Sequence, residues 1–333
     1  SADNVDNWGH LGGLIGGTIL MTLLAPEVGE LWKRRNTQVR WGALVVLLAT
    51  VIGLKTGGHQ LVPLVEREQG GMYAPSPTYW REGWTFTGDR GWFSPTGEAT
   101  MVVARTTHPR PLDADEATDA LIARIQAGGK SAEVLSRQTV QLDGREARSI
   151  ELRVLLSGEP QIIRALVSTR GVYAYRTQFQ AVQKADGRYL PLMKRLFSQA
   201  RIEDPEELRH ARERAQVHPR SWQPAVQLGD AWYRAGQPNL ALAEYTRALA
   251  LSPDTTSAIV GRLKVHADYQ LPEAAPVASA ALQSADGRPR IIVAAADTLY
   301  AAGEYDQALQ ALDDAWAALP GDRVLRRARH RWG

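Results

Sequence analysis

The chain has 333 residues, of which 23% are charged and 44% hydrophobic, and its 39 Lys and Arg against 36 Asp and Glu leave a net charge of +3. This length calls for more than one structural unit. So mild a charge, with no basic block interleaved with aromatics, argues against a nucleic-acid partner. The absence of cysteine excludes a disulfide framework and thiolate chemistry.

Residues 8–25, WGHLGGLIGGTILMTLLA, carry no acid, Lys or Arg, and residues 41–54, WGALVVLLATVIGL, form a second, shorter apolar run. The first is long enough to cross a hydrocarbon core of roughly 30 Å as a helix. The loop between them holds Lys33, Arg34, Arg35 and Arg40. Basic residues in a short loop favour the cytoplasmic side, so residues 1–58 are expected to form a transmembrane hairpin, with everything after about residue 58 extracytoplasmic. The alternative is two buried helices of a water-soluble protein. The chain opens on Ser1 with no basic segment ahead of the apolar run, and is expected to begin inside a longer protein.

His10 stands at the mouth of the first run, and an ionisable group there reads as functional. Gly9, Gly13 and Gly17 recur every four residues, a spacing that lets a second helix approach closely. At VDNWGHLGGLIGG the chain resembles the rhomboid family of intramembrane serine proteases, around the family's sixth transmembrane helix. The resemblance implies that His10 is the general base of a Ser-His dyad, with Gly9, Gly13 and Gly17 packing beside the site. The family's serine lies in a Gly-x-Ser-Gly setting on another helix, and no such string occurs in these residues. The expected activity is therefore peptide-bond hydrolysis of membrane proteins by a longer protein, with this chain inert alone. The competing expectation is a non-catalytic, membrane-anchored scaffold, such as an inactive rhomboid relative. No cofactor or metal is expected; the expected partners are the lipid bilayer and membrane-protein substrates.

Residues 59–80 read as a connector punctuated by Pro63, Gly70, Gly71, Pro75 and Pro77. Residues 81–203 read as an α+β domain. Strands are predicted at 98–107, 133–142, 147–157, 161–169 and 172–180; in the third, Ile150, Leu152, Val154 and Leu156 alternate with polar residues. Helices are predicted from Asp113 to Gly129 and from Asp186 to Ile202, laid on one side of an antiparallel sheet. With its GWTF and GWF strings, this arrangement loosely resembles the PsbP-like group. His59 and His108 lack partners at metal-ligand spacing, and Ser94, Ser136 and Ser168 lie in no nucleophile motif.

Residues 204–333 read as an all-α solenoid. Leu228, Gly229, Trp232, Gly236, Ala241, Tyr245, Ala248 and Pro253 fall at the spacings of a 34-residue tetratricopeptide repeat. Ala296, Leu299, Gly303, Ala308, Leu312, Ala315 and Pro320 form a second copy, and residues 256–288 a degenerate one between them. Capping helices are predicted at 205–218 and from 323 onward. Such arrays resemble one another in holding a peptide or protein ligand in a concave groove, which is the partner expected for this region.

Overall fold

Alternation of apolar and polar residues builds the strands of the first half. The computed structural model describes residues 62–127, 131–156 and 158–332. A seven-stranded sheet has the order β3-β4-β5-β9-β8-β7-β6, formed by β3 (Arg81–Trp84), β4 (Arg90–Phe93), β5 (Ala99–Thr107), β6 (Ala132–Leu142), β7 (Arg145–Leu156), β8 (Glu159–Arg170) and β9 (Tyr173–Val182). Every neighbouring pair is antiparallel. A smaller sheet of order β1-β2-β10 joins β1 (Leu64–Gln69), β2 (Met72–Pro77) and the two residues of β10 (Arg201–Ile202). Part of the stretch expected as a connector is thus paired strand.

The expected fold class is corrected. The described residues form a sheet-rich domain followed by helices, and no helix among them is long and apolar enough to cross a membrane. The expected hairpin, residues 1–58, lies outside the described residues.

The two helices of the sheet domain lie on opposite faces of the large sheet, where one side had been expected for both. Helix α1 (Ala114–Ala127) sets Ala117, Leu121 and Ile125 against Ile150, Leu152, Val154 and Ile163. Helix α2 (Asp186–Ser198) sets Leu192 and Leu196 against Met101, Val103, Tyr175 and Phe179 on the other face, beside Met72 and Ala74 of the small sheet. Strand β9 is the reason. With a cover on both sides, all ten of its residues are buried, so the sheet needs a layer on each face.

Helix α1 starts where Asp113 Oδ1 accepts a 2.8 Å bond from the Glu116 N–H. Asp115, in its first turn, accepts from Arg148 Nε at 2.8 Å and Nη2 at 2.6 Å, and from Arg137 Nη2 at 2.5 Å. Those donors, Arg148 first and Arg137 after it, outweigh partial desolvation and hold the Asp115 carboxyl at about 2, below its ordinary 3.8. A depressed folded-state pKa stabilises the fold above the unfolded value and loses that contribution as pH falls through the folded one. The melting temperature of the native chain is therefore expected to fall more steeply between about pH 4 and about pH 2 than that of an Asp115→Asn chain. Equal slopes in calorimetric scans would refute this.

The helices of the second half run α3 (Glu206–Val217), α4 (Trp222–Arg234), α5 (Pro238–Leu251), α6 (Thr256–Asp268), α7 (Ala274–Gln283), α8 (Pro289–Ala301), α9 (Tyr305–Ala318) and α10 (Arg323–Trp332). Three helix pairs, α4/α5, α6/α7 and α8/α9, repeat one design. Each turns through a residue with positive φ: Gly236 at 71°, Gln270 at 49° and Gly303 at 86°. Inside the first pair, Gly229 faces Tyr245, and a methyl group on Gly229 would lie 2.8 Å from the ring. The equivalent positions of the middle pair hold Leu263 and Ala278, both within one buried cluster. Large and small have exchanged helices, so the interior volume is conserved although the repeat pattern is poor at these residues.

Sheet and repeats share one core. A single buried cluster runs from Met101 and Phe179 through Val172 and Tyr173 to Ala225, Tyr233, Tyr245 and Val265. At its edge the β8–β9 turn meets the α4–α5 turn backbone to backbone. The Val172 N–H donates to the Arg234 carbonyl at 3.0 Å, and Arg170 Nε donates to the Ala235 carbonyl at 3.2 Å. Arg105 bonds Glu207 of α3 through both nitrogens at 3.1 and 2.8 Å, while Arg170 and Arg212 grip Asp204 at 2.6 and 2.8 Å.

Candidate protein-binding groove

Helices α4, α6, α8 and α10 each pack against the next of their set, whereas α5, α7 and α9 make no comparable contact with one another. The layers converge on the first side and splay on the second. The stack therefore curves, with α4, α6 and α8 lining its inner face.

One position per repeat forms a ladder along that face: Asp230, Lys264 and Asp297, at spacings of 34 and 33. Asp230 Oδ1 accepts from the Tyr245 hydroxyl at 2.6 Å, and Asp297 accepts from Arg331 of α10 at 2.7 and 2.9 Å. Lys264 Nζ lies 4.8 Å from the centre of the Tyr233 ring. Tyr233 in turn donates to Asp268 Oδ2 at 2.6 Å, and the Tyr269 hydroxyl donates to the Tyr233 carbonyl at 2.8 Å.

Burial, and then Asp268, pushes the Tyr233 and Tyr269 hydroxyls up, Tyr269 to about 12. Both remain neutral donors at physiological pH, which fixes the direction of these bonds. His266 behind them is pushed down by burial and then by Arg262. On the sheet side, Arg110 is raised chiefly by Glu116, and the charge of Asp268 also acts on it. The groove thus presents alternating charge along its inner helices, with Lys264 exposed over the Tyr233 ring and the Tyr300 ring half exposed on α8. Such a surface can hold an extended peptide through its charged side chains and one aromatic contact.

On the outer side a cleft of about 700 Å³ opens between α7 and α9, floored by Leu282 and Ile292 and edged by Asp306, Gln310 and Asp314. Among the described residues no group of three His, Asp or Glu could hold a metal ion. His10, Gly9, Gly13 and Gly17 lie outside the described residues. The small positions singled out in the repeats, Gly229, Ala241 and Ala248, are buried between helices. The ladder residues had not been singled out in the sequence, although the repeat spacing aligns them.

Residues 265–330 match the tetratricopeptide-repeat family model. The solution structure of cyanobacterial PsbP from Synechocystis sp. PCC 6803 is similar at 14% identity, over 43% of this chain and 94% of that one, with a TM-score of 0.37. LpqN, involved in cell envelope biogenesis of Mycobacterium tuberculosis, aligns at 14% identity over 42% of this chain and 89% of that one, with a TM-score of 0.30. The MamA RS-1 ArsTM double mutant aligns at 19% identity over 42% of this chain and 74% of that one, with a TM-score of 0.28. No curated protein matches the chain.

Proposed function

We propose that this chain is a protein-binding adaptor whose tetratricopeptide groove holds an extended segment of a partner, with the sheet domain as a fixed base. The observation that carries it is the ladder of Asp230, Lys264 and Asp297 on the inner face of the helix stack, whose last member lies within the residues that match the tetratricopeptide-repeat model. A base that shares its core with the first repeat holds the groove in one orientation, which lowers the ordering cost of binding. Peptides selected from a displayed library against the full chain are expected to lose about tenfold or more in affinity on Lys264→Glu with Tyr300→Ala. The same peptides are expected to tolerate Gln310→Ala in the outer cleft. Loss on the second change alone would move the site outside and end this reading.

A second reading rests on residues 4–17 alone. We propose, on VDNWGHLGGLIGG, that the chain is the C-terminal part of a rhomboid-type serine endopeptidase acting at a membrane, with His10 taking the proton of a serine encoded upstream. In that protein the groove would recruit substrate. An upstream reading frame lacking Gly-x-Ser-Gly, or cleavage by the full-length protein that survives His10→Ala, would rule it out.

A further inference from the structure

The large sheet carries a second feature, unrelated to the repeats. Helix α1 packs over β7 and β8, and beside it, over β5 and β9, a cavity of about 90 Å³ remains between helix and sheet. Its floor is apolar: Ala104, Leu121, Val167 and Ala174. Arg124, Arg176 and His108 stand at its walls, and Ala120, exposed on α1, forms its rim.

Arg176 is the unusual group. It is 7% exposed and lies in the middle of β9, on the face that packs under α1. Its Nη2 donates to Asp89 Oδ2 at 2.5 Å, while its Nε–H is buried without any partner in the protein. A guanidinium has five donors in a rigid fork, and a buried donor left unpaired is costly, so such a group is expected to have an acceptor. Arg124 Nη2 bonds the same carboxylate at 3.1 Å and the Thr87 carbonyl at 2.5 Å, which pins the β3–β4 turn over this corner of the sheet. Two arginines and one aspartate leave a single positive charge at the wall.

We propose that this cavity binds a small organic monocarboxylate. A guanidinium nitrogen of Arg176 at the cavity wall can donate to a carboxylate oxygen, and one net positive charge suits a monoanion better than a dianion. The apolar floor takes a short hydrocarbon tail. At on the order of 15 Å³ per water-sized occupant, the space holds about six non-hydrogen atoms. A four-carbon acid has that size.

The test uses the full chain and sodium butyrate, read by saturation-transfer NMR, with butylamine and inorganic phosphate as comparison probes. Saturable butyrate binding is expected, with no saturable signal from butylamine. Arg176→Gln should abolish it, but that change also takes from the half-buried Asp89 one of its two arginine partners and can unfold the sheet. Ala120→Leu avoids this difficulty: it sits at the exposed rim, keeps a good helix former and closes the mouth. Affinity should fall about tenfold or more in that variant, with the melting temperature retained. Absence of saturable butyrate binding, binding unchanged in Ala120→Leu, or phosphate binding more tightly than butyrate would each overturn the assignment.

Discussion

Tyr245→Ala is expected to cost the chain about 3–5 kcal/mol, the range for deleting a fully buried aromatic ring. Tyr245 is 1% exposed and is gripped from two sides. On its own repeat Gly229 leaves room for the ring edge, and on the next repeat Gly261 does the same, each so close that an added methyl group would overlap the ring. The ring therefore joins two repeats. Removing it opens a cavity that neither glycine can fill and frees Asp230, whose carboxylate accepts the Tyr245 hydroxyl. Tyr245→Phe keeps the ring and should lose only the hydrogen bond, about 1–3 kcal/mol because the acceptor is charged. Urea denaturation of the three chains measures both; equal losses for Ala and Phe would show that the ring does not join the repeats.

The second large effect lies at the junction of sheet and repeats. Gly236 and Gly303 occupy the same turn in the first and third helix pairs, at φ of 71° and 86°. Alanine at either strains the backbone by about 1–2 kcal/mol. A methyl group on Gly303 would meet no other part of the chain within 4 Å, so the cost should stop there. A methyl group on Gly236 would sit 2.6 Å from the Gly171 nitrogen, and Gly171, itself at φ 59°, has no side chain that could yield. The two turns must part, which breaks the Val172–Arg234 and Arg170–Ala235 bonds, at about 0.5–1.5 kcal/mol each. Gly236→Ala is thus expected to cost about 2–5 kcal/mol in total, and Gly303→Ala only the roughly 1–2 kcal/mol of strain. Equal denaturation midpoints would show that the junction carries no stability.

The junction also bears on the proposed groove. Because the sheet is fastened to the first repeat, its loop holding Arg110 stands near Asp268 of the second. Loosening Gly236 should therefore weaken peptide binding as well as the fold, whereas Gly303→Ala should leave binding unchanged. The two measurements separate a base that orients the groove from one that is merely attached to it.

The repeat pattern was legible because packing of paired helices demands small and large residues at fixed steps, and Leu228, Gly229, Tyr245 and Ala248 meet that demand locally. The alternation in β7 was legible for the same reason, since a strand buries every second residue. Other features depend on partners distant in the chain. In β9 the polar residues Arg176, Gln178 and Gln180 suggest a solvated face, yet all three are buried in the folded chain, Arg176 against Asp89 of the β3–β4 turn. Position by position the middle repeat departs from the pattern, while Leu263 and Ala278 compensate as a pair. Gly171 and Gly236 are 65 residues apart, and nothing near either marks them as touching.

By itself, then, the sequence determined the local periods of the longer elements: the five long strands of the large sheet, the paired helices, and where the helix turns fall, but not the short strands β1 to β4 and β10. Only the tertiary structure decided which faces meet, that sheet and first repeat close over a common core, and that a buried arginine borders a cavity. Periodicity is set by neighbours a few residues away and can be read along the chain. Contact between faces is set by shape and volume summed over distant segments, and it exists only once the chain has folded.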